Sequence, residues 1–410
     1  MPVAVLAVSC LMLTAALPAN AQETANAQDT TAGVRFDLKK HPSMRVGSAL
    51  KLDFTARLDT NTRLATQAIG MEAANFEFDH RRVGVEGALF KKVQFEISRD
   101  LGSDGAWRDV YVNLRQTKTL EFQAGRFKIP FGRETLTGGK NLDFVRRSLI
   151  ATQLGPSRDT GVMAHGRLFD RHLEYAAGYF AGDGDNSRTT ATQGGGDTVA
   201  ARLVFLPLSS SPGKARKADD ALQLGVAVAN SRLANVLGLR GRTVFSDGVF
   251  FDRGDVNGTR QRYGLEAAWA RGPVSITSEY MTVSEDRSGM GFSGEDLDPV
   301  HARGWYLAAT WAVTGEKKAG RLEPRHVLGH GFGAVELAAR IEQLRFGNAG
   351  SNPSTNADRA MTAGLNWYLN YYIRVQSNLV IESIEDPQRS PAPSTAGRFI
   401  GAVFRVQFTL

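Results

Sequence analysis

From about Arg45 to the final residue, Leu410, apolar and polar side chains alternate with a period of two through one short segment after another. That period puts successive side chains on opposite faces of a β-strand, whereas an amphipathic helix repeats every 3.6 residues. "VQFEISRD" sets Val93, Phe95 and Ile97 against Gln94, Glu96 and Ser98. "WYLAATWAV" aligns Trp305, Leu307, Ala309, Trp311 and Val313, and "YIRVQSNLVI" opposes Ile373, Val375, Leu379 and Ile381 to Arg374, Gln376 and Asn378. Sixteen such segments are predicted, at 43–59, 76–89, 91–100, 106–116, 119–129, 158–169, 172–182, 197–206, 221–231, 260–271, 273–284, 301–314, 331–346, 358–369, 371–383 and 396–410. The expected fold class is all-β, and an even number of antiparallel strands suits a transmembrane β-barrel. A soluble sandwich or solenoid would share the period, since alternation alone does not say which face meets lipid. Two features favour the barrel. Trp269, Trp305, Trp311, Trp367, Tyr263, Tyr280 and Tyr368 fall where interfacial girdles are expected. The chain also ends on an apolar strand, "GRFIGAVFRVQFTL", which presents Ile400, Ala402, Phe404, Val406, Phe408 and Leu410 on one face.

The N-terminus reads differently. Residues 1–21, "MPVAVLAVSCLMLTAALPANA", form an apolar run ending in Ala19-Asn20-Ala21, the pattern of a secretory signal peptide, although no Lys or Arg precedes the run. A second Ala-x-Ala at Ala25-Asn26-Ala27 offers another cleavage point. The only cysteine, Cys10, lies inside this segment, so the exported chain makes no disulfide. Residues 22–42 would be a periplasmic lead and 43–410 the barrel. Beyond the signal segment no stretch approaches the roughly 18 uncharged apolar residues of a membrane helix; a barrel strand needs no such run, because it shows lipid only every second residue.

The connections alternate in length. "HRRVGVEGALFKKVQFEI" and "WARGPVSIT" turn within a few residues, while long polar loops occupy 130–157, 183–196, 232–259, 285–300 and 347–357. Short turns on one rim and long loops on the other are the periplasmic and extracellular ends of an outer-membrane barrel. The stretches 207–220 and 315–330 break this rule.

The charge is concentrated. From Arg126 to Asp159 the chain carries Arg126, Lys128, Arg133, Lys140, Arg146, Arg147 and Arg158 against Glu134, Asp143 and Asp159, an excess of four in a protein of net charge +7. The run begins in "AGRFKIPFGRE", where Arg126 and Lys128 take the face of Leu120, Phe122 and Ala124 and Pro130 ends the ladder. Cations do not face hydrocarbon cheaply. A loop after the fifth strand can instead fold into a sixteen-strand lumen, where a cation attracts an anion more strongly than in bulk water. Guanidinium forks also match phosphate oxygens. Arg126, Lys128, Arg133, Arg146, Arg147 and Arg158 are therefore candidate constriction residues, with Arg82 (or Arg81), Arg115, Arg202, Arg374 and Arg405 extending the path along the wall. The competing reading is a solvated outer loop that grips lipopolysaccharide.

The segments "RVGSALKLDFTARLD", "RRVGVEG", "LEFQAGRFKIPFGRE", "RSLIATQLGPSRDTGVMAHGRL", "GAVELAARIEQL" and "GLNWYLNYYIRVQSNLV" resemble, in order, the phosphate-selective porins O and P. The resemblance runs from about Arg45 to Leu410 and is sharpest at "GRFKIPFGRE" and "PSRDTGV". It implies a homotrimeric sixteen-strand barrel in the bacterial outer membrane that passes small anions, phosphate or polyphosphate among them, without cofactor or metal. It places Arg126, Lys128 and Arg133 in the constriction loop and Arg158-Asp159 at its return.

Other signals lead nowhere. His326 and His330 have helical metal spacing, but their context, "RHVLGHGFG", reads as loop and no third ligand lies near. "GHGFGA" opens no helix, and no Gly-x-Ser-x-Gly elbow is present. Export and interleaved acids argue against nucleic acid as a partner. A plugged structural barrel and a barrel enzyme of the lipase or protease type are the alternatives to a channel.

Overall fold

In the computed structural model the described residues are 33–37, 42–65, 74–102, 106–184, 195–208, 220–318, 320–348, 355–391 and 397–410. The expected signal peptide lies outside them, as does most of the 22–42 lead. A short antiparallel pair, β1 (Val34–Asp37) and β2 (Ser43–Val46), comes first. Then follow β3 (Leu50–Ala65), β4 (Ala74–Leu89), β5 (Val93–Asp100), β6 (Trp107–Arg115), β7 (Glu121–Lys128), β8 (Arg158–Leu168), β9 (Leu173–Phe180), β10 (Gly195–Phe205) and β11 (Asp220–Leu237). A small hairpin of β12 (Gly241–Arg242) and β13 (Val249–Phe251) precedes β14 (Asp255–Arg271), β15 (Val274–Arg287), β16 (Leu297–Ala312), β17 (Ala334–Gly347), β18 (Asn356–Tyr368), β19 (Ile373–Ile384) and β20 (Arg398–Thr409).

Apart from β1, β2 and the β12–β13 hairpin, each strand pairs antiparallel with the next, and β20 returns to β3 with Thr409 opposite Arg57. Sixteen strands thus close a barrel and leave no open edge along their paired length. β3 starts before β20 ends, and β2 pairs with the free edge of Leu50–Asp53. Here the expected span 43–59 divides: Gly47 at φ +53° turns the chain back on itself, and β3 then runs on to Ala65.

The alternation becomes inside and outside. Along β16, His301, Arg303, Trp305, Leu307, Ala309 and Trp311 are exposed, while Ala302, Gly304, Tyr306, Ala308 and Thr310 between them are buried. On β20, Ile400, Phe404, Val406 and Phe408 face out, while Arg405, Gln407 and Thr409 are buried within. A barrel that is apolar outside and polar inside suits lipid, in which every backbone polar group must be satisfied internally. Trp305, Trp311, Tyr263 and Tyr280 are exposed on the outer surface, as the girdle reading expects. Tyr368 is a correction: it is fully buried and its hydroxyl donates to Glu336 Oε2 at 3.0 Å, because even-numbered positions of β18 face inward.

Candidate functional site

The connection from β7 to β8 does not stay on the rim. Ile129, Phe131, Leu149, Ile150 and Leu154 within it are buried against the inner wall of the barrel. Such burial draws the segment inward, but its backbone must still find partners. Wall side chains supply them. The N–H groups of Arg133 and Glu134, opening α1 (Arg133–Leu136), donate to the Glu279 carboxylate at 2.7 Å each, and Tyr306 braces that carboxylate at 2.8 Å. Leu149 N–H, at the start of α2 (Leu149–Gln153), donates to Glu342 Oε2 at 2.6 Å, and Val145 N–H to Asn378 Oδ1 at 2.8 Å. In return Arg374, Arg340 and Arg262 donate to the carbonyls of Leu142 (2.8 Å), Arg146 (3.1 Å) and Leu154 (3.0 Å). The bonds from the charged guanidinium groups are stronger than neutral ones. The loop crosses the lumen and is fastened to β14–β19.

A second connection, 238–254, also folds in. Leu239 N–H donates to Glu285 at 3.0 Å and Phe245 N–H to Glu382 at 3.1 Å, while Phe251 stacks on Phe346 at 4.8 Å. Together the two loops line the β14–β20 wall with packed side chains. Open space remains on both faces of the β7–β8 loop, toward β3–β10 and toward β11–β17. One cavity of 380 Å³ runs between the loop tip (Leu136, Gly138, Gly139, Lys140) and the wall. It is lined by five cations, Arg57, Arg82, Lys128, Lys140 and Arg158, and by three carboxylates, Glu86, Glu96 and Asp109. It adjoins a wider cavity of 1030 Å³ toward the short-turn rim, with Tyr111, Gln123, Lys128, Leu136 and Met163 lining both.

The expected constriction residues separate into distinct roles. Lys128 lines the passage, yet its Nζ donates to the carbonyls of Thr135 (2.7 Å), Leu136 (3.0 Å) and Thr137 (3.0 Å), closing the end of α1. Arg158 forks onto Asp109 Oδ2 at 3.0 and 2.6 Å while lining the same cavity. Arg147 folds back on the loop, donating to the carbonyls of Glu134 and of Thr137 (2.6 Å), and burial lowers its pKa. Burial opposes the charge of Arg146, but Asp247 at 3.2 Å, with Asp79 and Glu77, outweighs it and raises its pKa. Arg133 lines a separate 610 Å³ cavity on the far face of the loop. Arg126 is not brought to the constriction: it pairs with Val110 on the face of the exposed Phe122 and Val112, and its Nε donates to Trp107 O at 3.3 Å.

The wall candidates divide too. Arg82 lines the passage and pairs with Asp100 at 3.5 Å. Arg202 and Arg115 line the wider cavity, Arg202 donating to Glu266 Oε2 at 3.0 Å and Arg115 pairing with Glu121 at 3.3 Å. Arg374 is fully buried and donates to Gln407 as well as to the loop. Arg405 is buried with Asp59, Asp79 and Asn61. Sequence reasoning missed Arg57, although it lies on the polar face of its strand with Thr55 and Asp59. Its guanidinium reaches the loop tip, where a Cβ on Gly139 would stand 1.9 Å from Arg57 Nη1. It also missed the carboxylates Glu279, Glu342, Glu285 and Glu382, whose role depends on loops distant in sequence.

Comparison with known proteins matches this architecture. The family described as phosphate-selective porin O and P matches residues 50–409. Porin O of Pseudomonas aeruginosa is 25% identical over 398 residues, covering 83% of this chain and 83% of that protein. Among solved structures, the outer membrane channel DcaP of Acinetobacter baumannii superposes with a TM-score of 0.56 at 10% identity, over 88% of this chain and 98% of that one. An anion-selective porin from Comamonas acidovorans does so with a TM-score of 0.53 at 14% identity, over 88% and 100%. These likenesses of fold accord with the closed sixteen-strand barrel. The chain belongs to the phosphate-selective porin O and P family and is an outer-membrane porin of bacteria.

Proposed function

We propose that this porin passes small anions by passive diffusion, with phosphate or polyphosphate as the preferred cargo and no chemistry on the way. The observation that carries the reading is the 380 Å³ passage, where five cations face three carboxylates and Lys140 has no ion-pair or hydrogen-bond partner among the described residues. At an effective dielectric of 20, a unit charge 4 Å away contributes about 4 kcal/mol. An ammonium without a direct partner in this water-filled space therefore biases which ion enters. Arg57, Arg82 and Arg158 add guanidinium groups of the kind that pair with phosphate oxygens, each held in place by a carboxylate, Asp59, Asp100 and Asp109 respectively, and the name of the P. aeruginosa relative's family supports that preference. A homotrimer is the assembly we expect from the same kinship. Residues 1–21 would direct export, with cleavage after Ala21 or Ala27.

Single-channel recording of the purified protein in a potassium chloride gradient tests the reading. The expected reversal potential is that of an anion-selective pore, and added phosphate should reduce the chloride current. A cation-selective potential would overturn the mechanism, and absence of conductance would favour a plugged barrel.

A further inference from the structure

In the β16–β17 connection, the described residues 313–318 and 320–333 lie on the rim where other turns are short, and Lys318 and Leu322 fold back into the barrel. Lys318 N–H donates to Gly272 O at 2.8 Å, and Leu328 N–H to Leu369 O at 2.8 Å. Leu322 is buried with Ala312, Ala334 and Tyr368. Arg321 donates to the Thr409 hydroxyl on the last strand. The segment therefore runs as a strap beneath the inward loop, along the inner ends of β16 to β20.

Lys318 is the point at which strap, loop and wall meet. Its side chain is 5% exposed, and Nζ stands 2.5 Å from Asp143 Oδ1 on the loop and 2.6 Å from Glu336 Oε1 on β17. Asn366 reinforces the junction, donating to Asp143 O at 2.8 Å and to Glu336 Oε2 at 3.0 Å. Burial opposes the ammonium charge, but Asp143 and Glu336 outweigh it and raise the pKa above the ordinary lysine range. Lys318 borders the 610 Å³ cavity and not the cationic passage. Asp143 lies three residues from Lys140, and Gly138 and Gly139 precede that lysine. A tie at Asp143 thus limits how far a glycine-hinged tip can swing.

We propose that Lys318 is a positioning residue for the constriction: the strap holds the loop tip against β17 and thereby sets the width and steadiness of the passage on the other face of the loop. This rests on the channel reading but not on which ion the channel prefers. The effect should be separable from simple loss of charge. Lys318→Met removes both the tie and one positive charge; Lys318→Met with Asp143→Asn removes the tie and leaves the net charge unchanged. Both are expected to raise open-channel current noise several-fold and to shift the anion-to-cation permeability ratio at least twofold, with Lys318→Arg restoring wild-type behaviour. A double variant as quiet and as selective as wild type would overturn the proposal. Heat-modifiable migration on denaturing gels reports folding of each variant. Should Lys318→Met fail to fold, Asp143→Asn, which keeps Lys318 on Glu336, must still raise the noise, and an unchanged trace would overturn the idea. The reversal potential of the wild-type channel tests ion preference separately.

Discussion

Gly132 stands at φ +71° where the chain leaves β7 for the lumen, and a Cβ there would lie 2.6 Å from Met281 Cε and 3.1 Å from the Glu279 carboxylate. A side chain would meet both the strain of left-handed backbone and that close approach, together of order 1–3 kcal/mol. Gly132→Val is therefore expected to unseat α1 while the barrel still forms. The check is an enlarged, noisy conductance alongside normal heat-modifiable migration. Charge at single residues makes a second prediction. Lys140→Glu turns the one passage cation without a partner among the described residues into an anion. The anion-to-cation permeability ratio should fall by about tenfold, which corresponds to 1.4 kcal/mol at 25 °C. Arg126→Glu should leave the ratio nearly unchanged, since Arg126 sits on the outer face beside Trp107.

At the scale of elements, the inward loops are attached by a repeated device. A wall carboxylate accepts backbone N–H groups from a loop: Glu279 those of Arg133 and Glu134, Glu342 that of Leu149, Glu285 that of Leu239 and Glu382 that of Phe245. A loop pulled into a packed lumen leaves donors that water no longer reaches, and leaving one unsatisfied costs about 1–3 kcal/mol. Glu279→Ala orphans two such donors and leaves Tyr306 Oη without its acceptor. The variant should admit trypsin at Arg133 in the folded, detergent-solubilised protein, read as cleavage between β7 and β8. Resistance equal to wild type would mean that apolar packing of Phe131 and Leu149 alone holds the loop. The strap at 313–333 is the same device seen from the opposite rim, with a lysine supplying the donor.

At the scale of the whole molecule, selectivity that arises from charge should depend on salt. The screening length falls from roughly 10 Å at 0.1 M to roughly 3 Å at 1 M. The permeability ratio should accordingly decline toward unity over that range; a ratio independent of salt would point to size or tight binding sites instead. The barrel that carries this charge was largely legible beforehand. All sixteen expected spans correspond to strands of the closed sheet, because outward Phe404, Val406 and Phe408 or Trp305, Leu307 and Trp311 betray their face by a period of two that needs only neighbours in sequence. The inward fold of the β7–β8 loop was expected as well, since its clustered cations do not face hydrocarbon cheaply, although Arg126 stays on the outer face. The role of each cation was not. Arg374 and Arg158 look alike in sequence, yet one is fully buried holding Leu142 O and the other lines the passage beside Asp109. Arg57 faces the passage only because Gly139, far along the chain, leaves room for it. The sequence by itself determined the staves, their order and their lipid-facing sides, all of which follow from local periodicity. Only the tertiary structure decided which charges are spent on anchoring and which remain facing water, because partners such as Lys318 and Asp143 meet across 175 residues of chain through closure of the barrel.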